Sequence, residues 1–279
     1  MLVDLAGHTS GNRLLAFAQR PAPVQVTWLG YPNSTGLRAM DYRLVDSITD
    51  PDGRADQWAC EQLLRIPGGF LCYQPLEAAP ELVPPPCLRN GFVTFGSFNN
   101  PSKLTAATLE VWGRLLMSLP GSRLLLKGQS FADPGARARF LEQLTRFGVE
   151  PSRVDLREQT ASAIDHLQLY GEIDIALDPF PYNGATTTCE ALWMGAPVVT
   201  LAGERHAARV GASLLTQIGA TEWIAGKPED YLSIALSLAR DVGSLAATRG
   251  ALRARMAASS LCDGPGFARK LEALYQKIA

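Results

Sequence analysis

The chain has 279 residues, 47% hydrophobic and 19% charged, enough for one large or two modest globular domains. Its formal net charge of -1 gives no basic field for nucleic acid, and no apolar run approaches the roughly 20 residues that a bilayer crossing needs. No basic segment followed by a long apolar core marks a signal peptide, and the five dispersed cysteines, without a CxxC pair, read as reduced thiols of a cytoplasmic protein rather than disulfides or zinc ligands.

Residues 1–45 read as strand and helix fragments, with one strand over 24–29 closed by Gly30, Tyr31 and Pro32. Proline crowds 74–90, and Pro84, Pro85 and Pro86 exclude a helix interior or a central strand. Residues 81–90 are therefore expected to be a semi-rigid linker after a first domain over 1–80. Strands are then expected over 91–98, 122–128, 154–156, 174–178 and 197–201. The helices between and after them are expected over 105–119, 136–148, 162–173, 186–195 and 206–219. Two more helices follow near 228–239 and 244–258, and a last one over 265–278. This alternation predicts an α/β, doubly wound, Rossmann-like domain over 91–260, with a parallel sheet buried on both faces and a C-terminal helical segment over 261–279.

Ligands of such sheets bind beyond the carboxyl ends of the strands. Five loops belong there, among them "NNPSK", "REQTAS" and "PFPYNGATTT". The last places Thr186, Thr187 and Thr188 where a helix begins. A helix start offers unpaired N–H groups and partial positive charge, an anion site. Gly184 is read as letting the backbone approach a ligand, and Thr186 and Thr187 as hydroxyl donors; the plain alternative is a single threonine acting as the N-cap. Lys103, in the loop after the first strand of the domain, is the cation expected to take up diphosphate charge, with Lys127 as a second candidate. The one Asp-x-Asp, Asp50 to Asp52, lies in a Pro/Gly turn, so no metal site is expected, and neither a P-loop nor G-x-G-x-x-G is present. Of the histidines, His166 suits either a base contact or the surface, His206 opens a helix, and His8 sits in a polar loop.

The segments "APVQVTWLGYPNSTGLRAMDYRLVDSITDP", "GFVTFGSFNNPSKLT", "LDPFPYNGATTTCEALWMGAPVVTLAGERHAARVGASLL" and "CDGPGF" resemble the catalytic region of the SPINDLY and protein O-linked N-acetylglucosamine transferase family, in order and over nearly the whole chain. The resemblance implies a GT-B fold, with a nucleotide sugar held between two Rossmann-like lobes, the C-terminal one complete here and the N-terminal one partial. It implies inverting, metal-independent transfer of a sugar to Ser or Thr hydroxyls of proteins, without a cofactor. Tetratricopeptide repeats usually precede this region and are absent from the chain. By the same resemblance Lys103 contacts the donor diphosphate beside Asn100. Thr186 and Thr187 stand at the phosphate-binding helix, Glu190 holds the ribose, and His166 lies near the base, to which Ala161 offers backbone contacts. Asp4, His8 and Thr9 fall at the edge of the acceptor-side wall, which makes Asp4 and His8 catalytic candidates with Lys103.

Two departures bear on function. Ala185 stands where the animal glucosaminyltransferases have histidine, and "FGSFNN", "FLCYQP" and "CDGPGF" are closer to SPINDLY-type members. The donor is thus UDP-N-acetylglucosamine or, as for plant SPINDLY proteins, GDP-fucose. Residues 1–80 are also fewer than a full lobe, so exposed apolar surface and weak or no turnover from this chain alone are expected. A nucleotide-sugar-binding protein without transfer is the alternative, and a GT-B-like epimerase, with Asp178 as its nearest acid/base candidate, is disfavoured.

Overall fold

The computed structural model describes residues 1–279. Two parallel sheets organise it. The first contains β1 (Leu2–Asp4), β2 (Gln25–Thr27), β3 (Tyr42–Val45) and β4 (Gln62–Arg65), hydrogen-bonded in that order. A short helix, α1 (Leu14–Ala18), makes the first crossover. The expected strand over 24–29 is thus shorter, and β3 and β4 were not anticipated as strands. Both carry an arginine that interrupts the apolar run. Arg43 is nonetheless buried inside β3, ion-paired to Asp50 at 2.5 Å. Arg65, at the end of β4, donates to the Asp50 carbonyl at 2.7 Å and to Asp56 at 2.8 Å.

The second sheet contains β5 (Thr94–Ser97), β6 (Arg123–Lys127), β7 (Val154–Arg157), β8 (Ile175–Leu177), β9 (Val198–Leu201) and β10 (Ile224–Ala225). Their order is β10-β9-β8-β5-β6-β7. Every neighbouring pair is parallel. The linker region is not all coil: it ends in a helical turn, α2 (Cys87–Asn90), because Pro86 tolerates the N-cap position and Gly91 closes the turn at φ 76°. The crossovers carry α3 (Ala106–Ser118), α4 (Pro134–Arg146), α5 (Ala163–Gln168), α6 (Thr186–Trp193) and α7 (Val210–Gln217). Then come α8 (Pro228–Arg240), α9 (Val242–Ala257) and α10 (Gly264–Ile278). No helix is long and apolar enough to cross a membrane.

One apolar cluster fills one face of the second sheet around Trp112, whose indole N–H donates to the Tyr231 hydroxyl at 3.2 Å. The other joins the two sheets: Val26, Leu44, Ile66 and Phe70 pack with Leu214, Leu252, Met256 and Phe267. The chain achieves this by returning. Residues from 259 onward leave the second sheet and lie on the first, where Phe267 stacks on Trp28 with ring centres 5.7 Å apart. The first lobe also leaves apolar side chains in solvent, Leu15 being 87% exposed.

Between the lobes, the Asp50 carboxylate takes Arg43 of its own lobe and the Nδ1 of His206 from the other; all three side chains are buried. Burial raises the Asp50 pKa, but His206 and Arg43 outweigh it and hold the carboxyl below its ordinary 3.8. The stability this pair contributes is therefore present above pH 3.8 and lost as the pH falls through the lower folded value. Asp50→Ala strands a buried arginine and should cost about 3–5 kcal/mol, read as a lower urea midpoint. The acid-side loss of stability should shrink in the same variant. An unchanged midpoint would mean that the Asp50 ion pairs do not hold the lobes together.

Candidate functional site

The strand order of the second sheet reverses between β5 and β8. Loops leaving these strands diverge, which opens a crevice at that point. The loop after β8 runs from Asp178 to Ala185 and delivers the chain into α6. Asp178 is fully buried and shapes the loop from inside. One carboxylate oxygen accepts the Gly184 N–H at 2.6 Å and the other the Thr200 hydroxyl at 2.6 Å. Burial pushes the Asp178 pKa up to about 7; those two donors and the Lys103 charge oppose the rise. It is committed to structure, in keeping with its strand-end position.

α3, α4, α5, α9 and α10 are each capped by a side chain at their N-terminus. α6 is not: Ala185 holds the N-cap position and has nothing to cap with. Its first-turn N–H groups thus have no side-chain cap, as is also true of α7 and α8. No threonine is therefore the cap; Thr186, Thr187 and Thr188 are the first three residues of the helix, and they differ. Thr188 is buried, Thr187 donates its hydroxyl to Asn99 Oδ1 at 3.0 Å, and Thr186 is exposed. Thr186 is the most exposed of the three, and the Thr187 hydroxyl has a protein partner, Asn99, that the sequence did not suggest. The role of Gly184 changes too. Its N–H is spent on Asp178, and a Cβ there would stand 2.5 Å from Thr187 Oγ1 and 2.9 Å from Asn99 Oδ1. Glycine is required for packing against Asn99 and α6, not for a ligand's approach.

Lys103 reaches this loop from the other side of the crevice. Its Nζ donates to the Asn183 carbonyl at 2.8 Å and lies 4.2 Å from the centre of the Tyr182 ring. Burial lowers its pKa, and the Asp178 charge partly opposes that. A half-buried cation thus stands beside an uncapped helix start. Asn100 opens the turn that carries Lys103, its Oδ1 accepting the Ser102 N–H at 3.0 Å.

Next to this lies a cavity of about 760 Å³, lined by Phe98, Asn100, Lys127, Gln129, Ala161 and His166 among others. His166 is held at both ring nitrogens. Lys127 Nζ sits 2.7 Å from Nδ1, and Nε2 sits 2.9 Å from Glu190 Oε2. An ammonium only donates, so Nδ1 accepts and the Nε2–H donates to Glu190. Burial lowers the Lys127 pKa, with Glu190 opposing. Lys127 is therefore tied to His166 rather than free as a second diphosphate cation. Phe98 and Tyr170 flank the imidazole, at 5.9 and 5.5 Å between ring centres. His166, Glu190, Ala161 and Asn100 come together around the cavity and the start of α6; sequence reasoning did not foresee the lysine that fixes the imidazole.

The first lobe contributes differently from expectation. Asp4 is buried and accepts the N–H groups of Ala6 and Gly7, at 3.1 and 2.9 Å, and the Thr27 hydroxyl at 2.8 Å. It is corrected from catalytic candidate to the group that shapes the 5–8 loop. His8 is exposed on that loop. Its Nε2 donates to the Thr35 carbonyl at 2.7 Å, and its ring packs edge-on to Tyr31 at 5.1 Å. Nδ1 then carries the lone pair. Burial raises the pKa of Tyr182, and Tyr31 raises it further. Thr9 turns its hydroxyl back to the Ala6 carbonyl. Asn183 and Tyr182 were missed as site-builders, and Asn99 was placed on the rim without its tie to Thr187; each stands in a rim loop, but its partner lies far off in sequence.

Comparison with known proteins agrees with this geometry. The profile of Glycosyl transferase family 41 matches residues 1–75 and 87–271. Proteins of rice (Oryza sativa subsp. japonica) and Arabidopsis thaliana named "Probable UDP-N-acetylglucosamine--peptide N-acetylglucosaminyltransferase SPINDLY" are 48% and 49% identical over 278 residues. The match takes in 100% of this chain and 30% of each relative, so the chain spans about a third of their length. The solved structure of a mutant Thermobaculum terrenum O-GlcNAc transferase superposes with a TM-score of 0.93 at 41% identity, covering 99% of this chain and 52% of that one. A sucrose-phosphate synthase from Thermosynechococcus elongatus, at 17% identity and a TM-score of 0.63, covers 95% of this chain and 70% of its own, and shares the fold. The architecture is GT-B, and the chain belongs to glycosyl transferase family 41.

Proposed function

We propose that the chain binds a nucleotide-sugar donor in the crevice and takes part in transferring the sugar to Ser or Thr hydroxyls of proteins. The observation that carries this is the half-buried Lys103 ammonium beside the uncapped start of α6. In a single displacement with inversion, the acceptor oxygen bonds to the anomeric carbon as the bond from that carbon to the diphosphate breaks. The electron pair leaves with the diphosphate. Lys103, the first-turn N–H groups of α6 and the Thr186 hydroxyl would stabilise that charge without a metal. Glu190 would hold the ribose, and the cavity beside His166 and Ala161 the base. His8, with Nδ1 open, is the candidate to accept the acceptor hydroxyl's proton, and Asp4 positions it through the loop. The names of the relatives favour UDP-N-acetylglucosamine as donor. The SPINDLY-like segments favour GDP-fucose as the second reading. Binding without turnover is a third, since the chain spans a third of its relatives.

Calorimetric titration with UDP and with GDP, without metal, tests the site. Lys103→Ala should weaken the nucleotide that binds by about 1.5–3 kcal/mol, roughly ten- to a hundredfold. Because burial lowers the Lys103 pKa, wild-type affinity should fall with rising pH before the ordinary lysine value of 10.5, whereas Lys103→Arg should hold its affinity there. Equal affinity in wild type and Lys103→Ala would place the diphosphate elsewhere.

The two threonines separate cleanly. Thr186→Val should lose about 0.5–1.5 kcal/mol of nucleotide affinity while leaving the melting temperature unchanged. Thr187→Val should lower the melting temperature by loosening α6 from Asn99. The reverse pattern would exchange the two assignments.

A further inference from the structure

A second cavity, of about 580 Å³, shares Ala163 with the first. Tyr73, Gln74 and Leu76 line it from the strap that joins the lobes, and Thr186 and Glu190 line it from α6. The strap is pinned from behind. The Tyr73 N–H donates to the Leu261 carbonyl at 2.8 Å, and Arg253 donates to the Pro80 carbonyl at 2.7 Å. Tyr73 is half-buried, and no hydrogen bond within the protein engages its hydroxyl. Glu190 faces it closely enough for its charge, after burial, to raise the phenol pKa. Of the two Glu190 oxygens, Oε2 is taken by His166 and Oε1 is unspent. A neutral hydroxyl and an anionic acceptor thus converge on one space, beside the Thr186 hydroxyl.

That pairing suits adjacent hydroxyls. A carboxylate oxygen accepts from one, and a phenol donates to or accepts from its neighbour. In a nucleoside diphosphate the ribose follows the phosphates directly and offers such a pair. We propose that Tyr73 is a specificity-determining contact of the donor: its hydroxyl and Glu190 Oε1 together take the 2′- and 3′-hydroxyls of the ribose. The inference rests on the reading of this crevice as a nucleotide-sugar site, and adds the interlobe strap to the residues that read the ligand.

The test is titration of wild type, Tyr73→Phe and Glu190→Ala with UDP and GDP and with their 2′,3′-dideoxy forms. Wild type should prefer the ribonucleotide, and Glu190→Ala should lose that preference. Tyr73→Phe should lose roughly three- to tenfold in affinity for the ribonucleotide and nothing for the dideoxy form. A Tyr73→Phe protein that binds the ribonucleotide as wild type does, or that weakens equally for both forms, overturns the role of Tyr73 while leaving Glu190 in place. If wild type and Glu190→Ala bind both forms alike, the ribose assignment of Glu190 fails, and this inference with it.

Discussion

The crevice depends on a carboxylate that no ligand touches. Asp178 ends β8 in the dry interior of the sheet, and its two oxygens tie the Gly184 N–H to Thr200 of the next strand. With the Asn183 bonds to Lys103 and to the Ala207 carbonyl, these bonds fix the eight-residue loop that feeds α6 and set the helix start opposite Lys103. The cost is visible in the carboxyl itself, which burial pushes up to about 7. A buried charge kept at such a position is explained by the loop it organises, with the field of Lys103 making it tolerable.

A second constraint sits above this one. The lobes are not beads on a string, because one apolar cluster passes through both. Asp50 and His206 meet across the same boundary, and Ser213 of α7 donates to Asp46 of the first lobe at 2.6 Å. The strap between the lobes therefore has a fixed path along α6 instead of a flexible one, despite its proline-rich composition. This is why the strap and α6, distant in sequence, line one cavity, and why that cavity adjoins, at Ala163, the one bordered by the loop after β5.

Much of the second lobe was legible, because its strands are apolar runs and its helices have clear stops, such as Gly195 at φ 79° after α6. Lys103 was legible from its place after the first strand of the domain. What escaped depends on distant partners. Nothing local tells Thr186 from Thr187; the difference is Asn99, 88 residues from Thr187. Arg43 carries no local signal of burial, because its counter-charge, Asp50, sits in what reads as a turn. Lys127 looked like a free cation because His166, 39 residues on, claims it. Asp4 had the chemistry of a catalyst, but the N–H groups that occupy it belong to a turn whose shape its sequence does not announce.

The return of the chain to its beginning has a consequence for biosynthesis. Val26, Leu44 and Phe70 are covered by Met256, Leu261 and Phe267, which leave the ribosome long after them. At translation rates of about 5–20 residues per second, the first sheet waits roughly ten to forty seconds for its cover. During that interval three- and four-residue parallel strands, poor at pairing by themselves, present an apolar face to solvent or to chaperones. Closure of the lobe is thus a late event in synthesis, and the crevice, one wall of which is the strap beside that cover, is completed only then.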